Sequence, residues 1–263
     1  MAPRVALIAS ARSGSSWLAS LLASHPAVRF HGELFNLEHA PLHALQDPFA
    51  YLDERLGDDA GVARVGFRLL QHQARPSYLD DFLAELDQGR RSCVDWRRHF
   101  PRRPVTAEML PALPALWQAL CDGRRYAVIH LQRRNLLRQH LSHQRLMAES
   151  RARWCGSPAV SNGGVTLAAE RLVERFEQHS RAVDALRAFF AEARPLEVAY
   201  EDLLDDPAGE QARILRFLDL PPAPLRSTVQ RPAPRPLREA VINYGAVARA
   251  LAGTRWAALL DER

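Results

Sequence analysis

Short apolar runs bounded by turn residues occur at residues 4–9, 64–70, 126–131 and 196–199, and each reads as a buried strand. The stretches between them carry helical periodicity. Residues 15–24 place Trp17, Leu18, Leu21 and Leu22 on one face and stop at His25-Pro26, while residues 135–149 and 167–192 predict the longest helices. Asp206 followed by Pro207 predicts an N-cap with proline at the first helical position, opening a helix that ends near Leu218. Strands alternating with helices predict an α/β protein, a P-loop-like three-layer fold in which a central, mostly parallel sheet is flanked by helices. The chain has no internal repeat, and its 263 residues fit one domain spanning 1–263.

Two stretches fit neither pattern. Residues 150–164 are rich in Gly, Ser and Asn and carry Trp154, which predicts a surface loop and a candidate lid. Residues 221–236 are proline-rich and punctuated by Arg226, Arg231 and Arg235, predicting an extended basic strap.

Charge sharpens the picture. The net charge of +5 favours anionic partners, and all 35 basic Lys+Arg residues are arginine. A Schiff-base lysine and a Walker A lysine are therefore excluded within this sequence, so any phosphate must be held by arginine forks, hydroxyls and backbone amides. Cys93, Cys121 and Cys155 are isolated and odd in number, implying neither a disulfide framework nor a zinc site, and a reducing, cytoplasmic setting fits. The apolar run 5–11 is shorter than a signal-peptide core, and no segment approaches the ~20 apolar residues of a membrane span.

The first strand leads into Ala11-Arg12-Ser13-Gly14-Ser15-Ser16-Trp17 and then directly into a helix. Backbone N–H groups and the helix dipole converge on an anion at such a junction, Gly14 permits close approach, and Ser15 and Ser16 add hydroxyl donors. Compared with G-x-x-x-x-G-K-[ST], Ser15 stands at the lysine position and the basic residue has moved upstream to Arg12, which suits a γ-phosphate and Mg²⁺ poorly. A Ser/Gly turn that merely caps a helix is the plain alternative. Further on, Arg134-Asn135-Leu136-Leu137-Arg138-Gln139-His140-Leu141-Ser142 follows the strand at 126–131. Arg134 and Ser142 stand eight positions apart, roughly 12 Å along a helix axis.

These segments resemble the PAPS-dependent sulfotransferases, closest to the bacterial carbohydrate, nodulation-factor and trehalose enzymes. ARSGSSWL is similar to their 5′-phosphosulfate loop, with Ala11 where that loop usually has proline. The resemblance implies that Arg12 lies near the sulfuryl group, that Ser13, Gly14, Ser15, Ser16 and Trp17 hold the 5′-phosphate, and that Arg134 and Ser142 share the 3′-phosphate, with Arg138 keeping that face basic. The string from His25-Pro26 to His31-Gly32-Glu33 resembles the element that ends in the family's glutamate base. Glu33 is then the base, with His31 as the fallback.

Val65-Gly66-Phe67-Arg68-Leu69-Leu70 resembles an element that places a basic residue near the reacting group, implying a charge-neutralising Arg68; His72 is an acceptor contact or second base. Tyr200-Glu201-Asp202-Leu203 matches an element read as structural, and residues 231–237 fall, loosely, where relatives strap a basic loop over the 3′-phosphate. The expected function is sulfuryl transfer from PAPS (3′-phosphoadenosine 5′-phosphosulfate) to a hydroxyl of a carbohydrate, glycolipid or other small acceptor, without a metal. A P-loop small-molecule kinase, a peptidyl-tyrosine sulfotransferase and a nucleic-acid-binding module are the rivals. The spread of arginines along helices, with no RNA-reading motif, speaks against nucleic acid.

Overall fold

The computed structural model describes residues 4–36, 44, 47–57, 61–74, 112–154, 163–230, 233 and 235–261. Among the described residues there are five strands: β1 (Arg4–Ala9), β2 (Val28–Glu33), β3 (Arg64–Leu70), β4 (Tyr126–Gln132) and β5 (Leu196–Ala199). The described helices, in chain order, begin with α1 (Ser15–Ala23), α2 (Pro48–Leu56), α3 (Ala112–Ala119), α4 (Leu136–Trp154) and α5 (Leu172–Phe189). They end with α6 (Asp202–Asp205), α7 (Pro207–Phe217), α8 (Leu237–Ala240) and α9 (Tyr244–Leu251).

The chain forms two compact units: Met1–Gln132 with Phe190–Gln230, and Arg133–Phe189 with Arg231–Arg263. The first holds the sheet, ordered β2-β3-β1-β4-β5. Every pairing is parallel. All five carboxyl ends therefore share one edge, and the chain leaves β1 toward one side of it and later returns on the other, which opens a crevice at that edge.

Side chains alternate across the sheet. Val5, Leu7 and Ala9 of β1, Ile129 and Leu131 of β4 and Val198 of β5 form one core with Trp17, Leu18 and Leu22 of α1 and Ile214 and Leu215 of α7. On the opposite face, Phe67 of β3 meets Phe35 edge-on at 6.4 Å, and Phe35 meets Tyr51 of α2 at 5.8 Å. Helices thus cover both faces, as the near-continuous apolar strands require.

The second unit packs Leu137 and Leu141 of α4 against Leu172 and Phe176 of α5 and Val247 and Leu251 of α9. Its loop at Leu167 is held by Asn243, whose amide donates to the Leu167 carbonyl (2.7 Å) and whose oxygen accepts from the Leu167 N–H (3.0 Å).

Several expectations shift in detail. β2 was not among the strands predicted from apolar runs, because its sequence carries His31, Gly32 and Glu33. Helix α4 runs to Trp154, five residues into the predicted loop 150–164, since Ala148, Glu149, Arg151 and Ala152 are good helix formers and one serine does not stop them. Residues 155–162 of that loop lie outside the described residues, as do Cys93 and Cys155. The helix expected over 167–192 is a central α5 between two 3-10 turns, Ala169–Arg171 and Ala191–Ala193. Asp206 caps α7 as expected, its carboxylate accepting from the Gly209 N–H at 2.9 Å.

Residues 221–230 form no helix or strand. Ser24, the C-cap of α1, and Ser20 within it accept from the backbone N–H groups of Arg226 and Thr228, each at 2.9 Å. Among the described residues no helix is long and apolar enough to cross a membrane. Burial together with Glu192 raises the pKa of the Cys121 thiol.

Candidate active site

Three strand ends build the first cluster. β1 ends in a tight loop: Ser13 Oγ donates to the Ser10 carbonyl at 2.7 Å, and Ser13 is completely buried. Arg12 takes a left-handed φ of 64°, uncommon for a residue with a Cβ, and such strain gathers at functional turns. Gly14 follows at φ 95°, and a Cβ there would meet the Tyr200 ring at 2.4 Å. Glycine is thus required twice over, for the backbone and for the ring.

α1 starts immediately after, with no side chain capping it. The amides of Ser15 and Ser16 therefore have no intrahelical acceptor and present a partial positive charge, the arrangement that receives an anion. Tyr200, on the turn after β5, braces this loop: its ring also meets Trp17 edge-on at 5.8 Å, and its N–H donates to the Gln132 carbonyl at 2.8 Å. The Trp17 side chain is itself 9% exposed and belongs to the core.

β2 and β3 supply the charged pair. The parallel register runs regularly from Val28↔Arg64 to Phe30↔Gly66, then slips so that Glu33 stands opposite Arg68. Gly32 makes the slip possible with φ 70°. An unbroken strand would set residue 32 against Arg68 and send Glu33 to the other face. The bulge instead aims Glu33 at Arg68, on the α1 side of the sheet.

Arg68 links the two halves of the cluster. One guanidinium nitrogen donates to Glu33 Oε2 at 2.8 Å, and another to Ser16 Oγ at 2.5 Å, with Ser15 Oγ 3.5 Å away. Glu33 and Arg68 side chains are only 14% and 15% exposed, so the pair is largely removed from water. The Arg68 Nε is buried without a hydrogen-bond partner, which leaves a donor unsatisfied beside the loop. The other Glu33 oxygen accepts from Gln73 Nε2 at 3.2 Å. Gln71 joins at the rim, its side-chain oxygen accepting from Ser10 Oγ at 2.6 Å.

His25 is buried and holds the entry to β2. Its Nδ1 accepts from the Ala27 N–H at 3.1 Å, so Nε2 carries the proton and donates to the Pro221 carbonyl at 3.0 Å. His31 is half-buried on the bulge. The His72 backbone lies in the 3-10 turn Gln71–Ala74, but its side chain lies outside the described residues.

The second unit carries the other cluster. Arg134 is exposed on the turn before α4, and Ser142 is half-buried on the helix. Asn135, read from the sequence as helical, caps α4 by accepting from the Arg138 N–H at 2.9 Å. Arg138 turns its guanidinium to the Arg235 carbonyl at 2.9 Å, which fastens Arg235 to α4. On the same helix, burial with Arg175 and His143 nearby lowers the His140 pKa to about 4.

Three features escaped the sequence reading. Gln73 and Gln71 lie after β3 where no motif marks them, and the ring of Tyr200, assigned a structural role in general, turned out to shape the loop itself. Proximity across the sheet is the only signal for the first two, and it is not written locally.

A glycine-turned junction at the carboxyl edge of a parallel sheet, facing a charged pair on the neighbouring strands, gives this α/β protein a set of donors suited to an anion. The family model described as "Sulfotransferase family" matches residues 3–224, and the chain belongs to the sulfotransferase family, enzymes that transfer a sulfuryl group. Among solved structures it is similar to a sulfotransferase from Alicyclobacillus acidocaldarius, at 15% identity and a TM-score of 0.47, covering 99% of this chain and 96% of that one. No curated protein matches the chain.

Proposed function

We propose that this protein transfers the sulfuryl group of PAPS to a hydroxyl of a carbohydrate, glycolipid or other small molecule in the cytoplasm, with Glu33 as the base. The observation that carries the reading is the chain of contacts from Ser16 through Arg68 to Glu33, which couples a phosphate-receiving helix end to a carboxylate. A phosphosulfate fits the residues present: the open amides at α1, the two serine hydroxyls and the orphaned Arg68 Nε are all donors without a competing carboxylate on the loop. Arg134 and Ser142 are assigned to the 3′-phosphate by the family resemblance, whose eight-residue separation they match.

In this reaction Glu33 takes the proton of the acceptor hydroxyl as its oxygen bonds to sulfur. The bond from sulfur to the 5′-phosphate breaks, and its electron pair leaves on the phosphate oxygen of PAP (3′,5′-ADP). Arg12, Arg68 and the loop amides stabilise that developing charge. Each Glu33 oxygen is engaged once and retains a second lone pair for the incoming proton. His31 is proposed to contact the acceptor, and His72 likewise.

The test is Glu33→Gln. Turnover is expected to fall by roughly 10²–10⁴-fold, the usual worth of a positioned base, while PAP affinity by calorimetry stays within about twofold. Near-normal turnover would remove Glu33 from the role. Mass-spectrometric screening for a gain of one sulfuryl unit, with chelator present, identifies the acceptor and separates the reading from a Mg²⁺-dependent kinase.

A further inference from the structure

Glu33 ends a side chain whose last torsion is broad and nearly two-fold, so one ionic contact does not fix the plane of its carboxylate. Arg68 holds Oε2. What holds Oε1 is Gln73, which is 2% exposed and lies in the turn directly after β3.

All three hydrogen-bonding groups that Gln73 uses are tied to separate partners. Its side-chain oxygen accepts from the Leu70 N–H at 2.9 Å, at the exit of β3. Its nitrogen donates to the Phe35 carbonyl and to Glu33 Oε1, each at 3.2 Å. The amide cannot be reversed, because a flip would set its N–H groups against the Leu70 N–H and its oxygen against two acceptors. Gln73 therefore clamps together the exits of the two strands that present Glu33 and Arg68.

We propose that Gln73 is a positioning residue for sulfuryl transfer, holding Glu33 Oε1 from the backbone of β3 and of the turn after β2 so that, with Arg68 on Oε2, the carboxylate is kept in one rotation. The inference rests on the reading of Glu33 as the base. A purely structural Gln73 would need only its bonds to Leu70 and Phe35, and its loss would then lower stability without altering the chemistry. A positioning Gln73 changes the chemistry through Glu33 while leaving donor binding at the α1 loop alone.

Gln73→Glu separates the two. The new carboxylate keeps the Leu70 bond and turns an acceptor toward Glu33, so two carboxyl groups must share a proton. The acidic limb of the kcat–pH profile is expected to move up by about one unit or more, with turnover at neutral pH down about tenfold and the donor KM within about twofold. Independently of activity, thermal melting of Q73E, E33Q and the E33Q/Q73E pair reads the contact itself. The double variant restores an amide facing a carboxylate with the roles exchanged, so it is expected to melt above Q73E, and additive losses would overturn the contact.

If E33Q keeps near-normal turnover, the base reading falls and the positioning role with it. If E33Q is inactive while Q73E keeps the parent pH profile and melts additively with E33Q, the base stands and the Gln73 proposal alone is overturned. Should Q73E fail to fold, Gln73→Met removes the donor at similar length. A kcat loss of about tenfold at unchanged KM for donor and acceptor supports the proposal, and an unchanged kcat overturns it.

Discussion

The two clusters of candidate residues are organised in opposite ways. In the sheet unit, Ser16, Arg68, Glu33 and Gln73 are bound to one another, come from three separate segments and, Ser16 apart, are mostly buried. In the helical unit, the corresponding residues lie along one stretch of sequence, Arg134 is exposed, and Arg138 is engaged by a backbone carbonyl. Groups held in place by a rigid sheet suit a step that needs fixed geometry. Arginines along a helix suit holding charge, which demands less precision.

The comparison would break first at Arg68. Arg68→Ala is expected to reduce turnover by roughly 10²–10³-fold, since it removes charge stabilisation and one of the two anchors of Glu33. A loss below about tenfold, measured at saturating PAPS, would show that the interlocked network is not needed for chemistry. Arg134→Ala should instead act on binding: calorimetry is expected to show PAP weakened by about 1.5–3 kcal/mol while 5′-AMP changes little. Equal losses for both nucleotides would show that the helical unit does not read the 3′-phosphate.

Arg138→Ala sharpens the same contrast. Its guanidinium is committed to the Arg235 carbonyl, so the expected change in PAP affinity is less than that of Arg134→Ala, about the 0.5–1.5 kcal/mol of one ordinary hydrogen bond. The smallest effect concerns acid. His140 has a folded pKa of about 4 against an ordinary 6.5, so the unfolded chain takes up its proton first as pH falls. Stability is then fully present above pH 6.5 and declines toward pH 4, and His140→Gln is expected to flatten that slope in melting curves recorded across the window.

Much of the sheet was legible because buried parallel strands are written as short apolar runs. β1, β3 and β5 begin and end where the pattern placed them. The strand–glycine–helix junction was equally plain, since Gly14 and its serines sit side by side. β2 was not legible as a strand because its bulge breaks the two-residue period at Gly32, and family resemblance alone brought Glu33 forward. The pairing of Glu33 with Arg68 depends on which strands become neighbours, and Gln73 acts through backbone groups of Leu70 and Phe35 that carry no sequence signature. α4 outran its prediction because a Ser in an Ala- and Arg-rich stretch is a weak stop.

The Tyr200 ring resting on Gly14 ties the turn between β1 and α1 to the turn that follows β5. During synthesis on the ribosome the loop emerges well before β5, and the wall that shapes it arrives only when that strand joins. A nascent fragment ending before β5 carries every loop residue without its brace, so the shape of that turn is a late folding event, set only once β5 has docked.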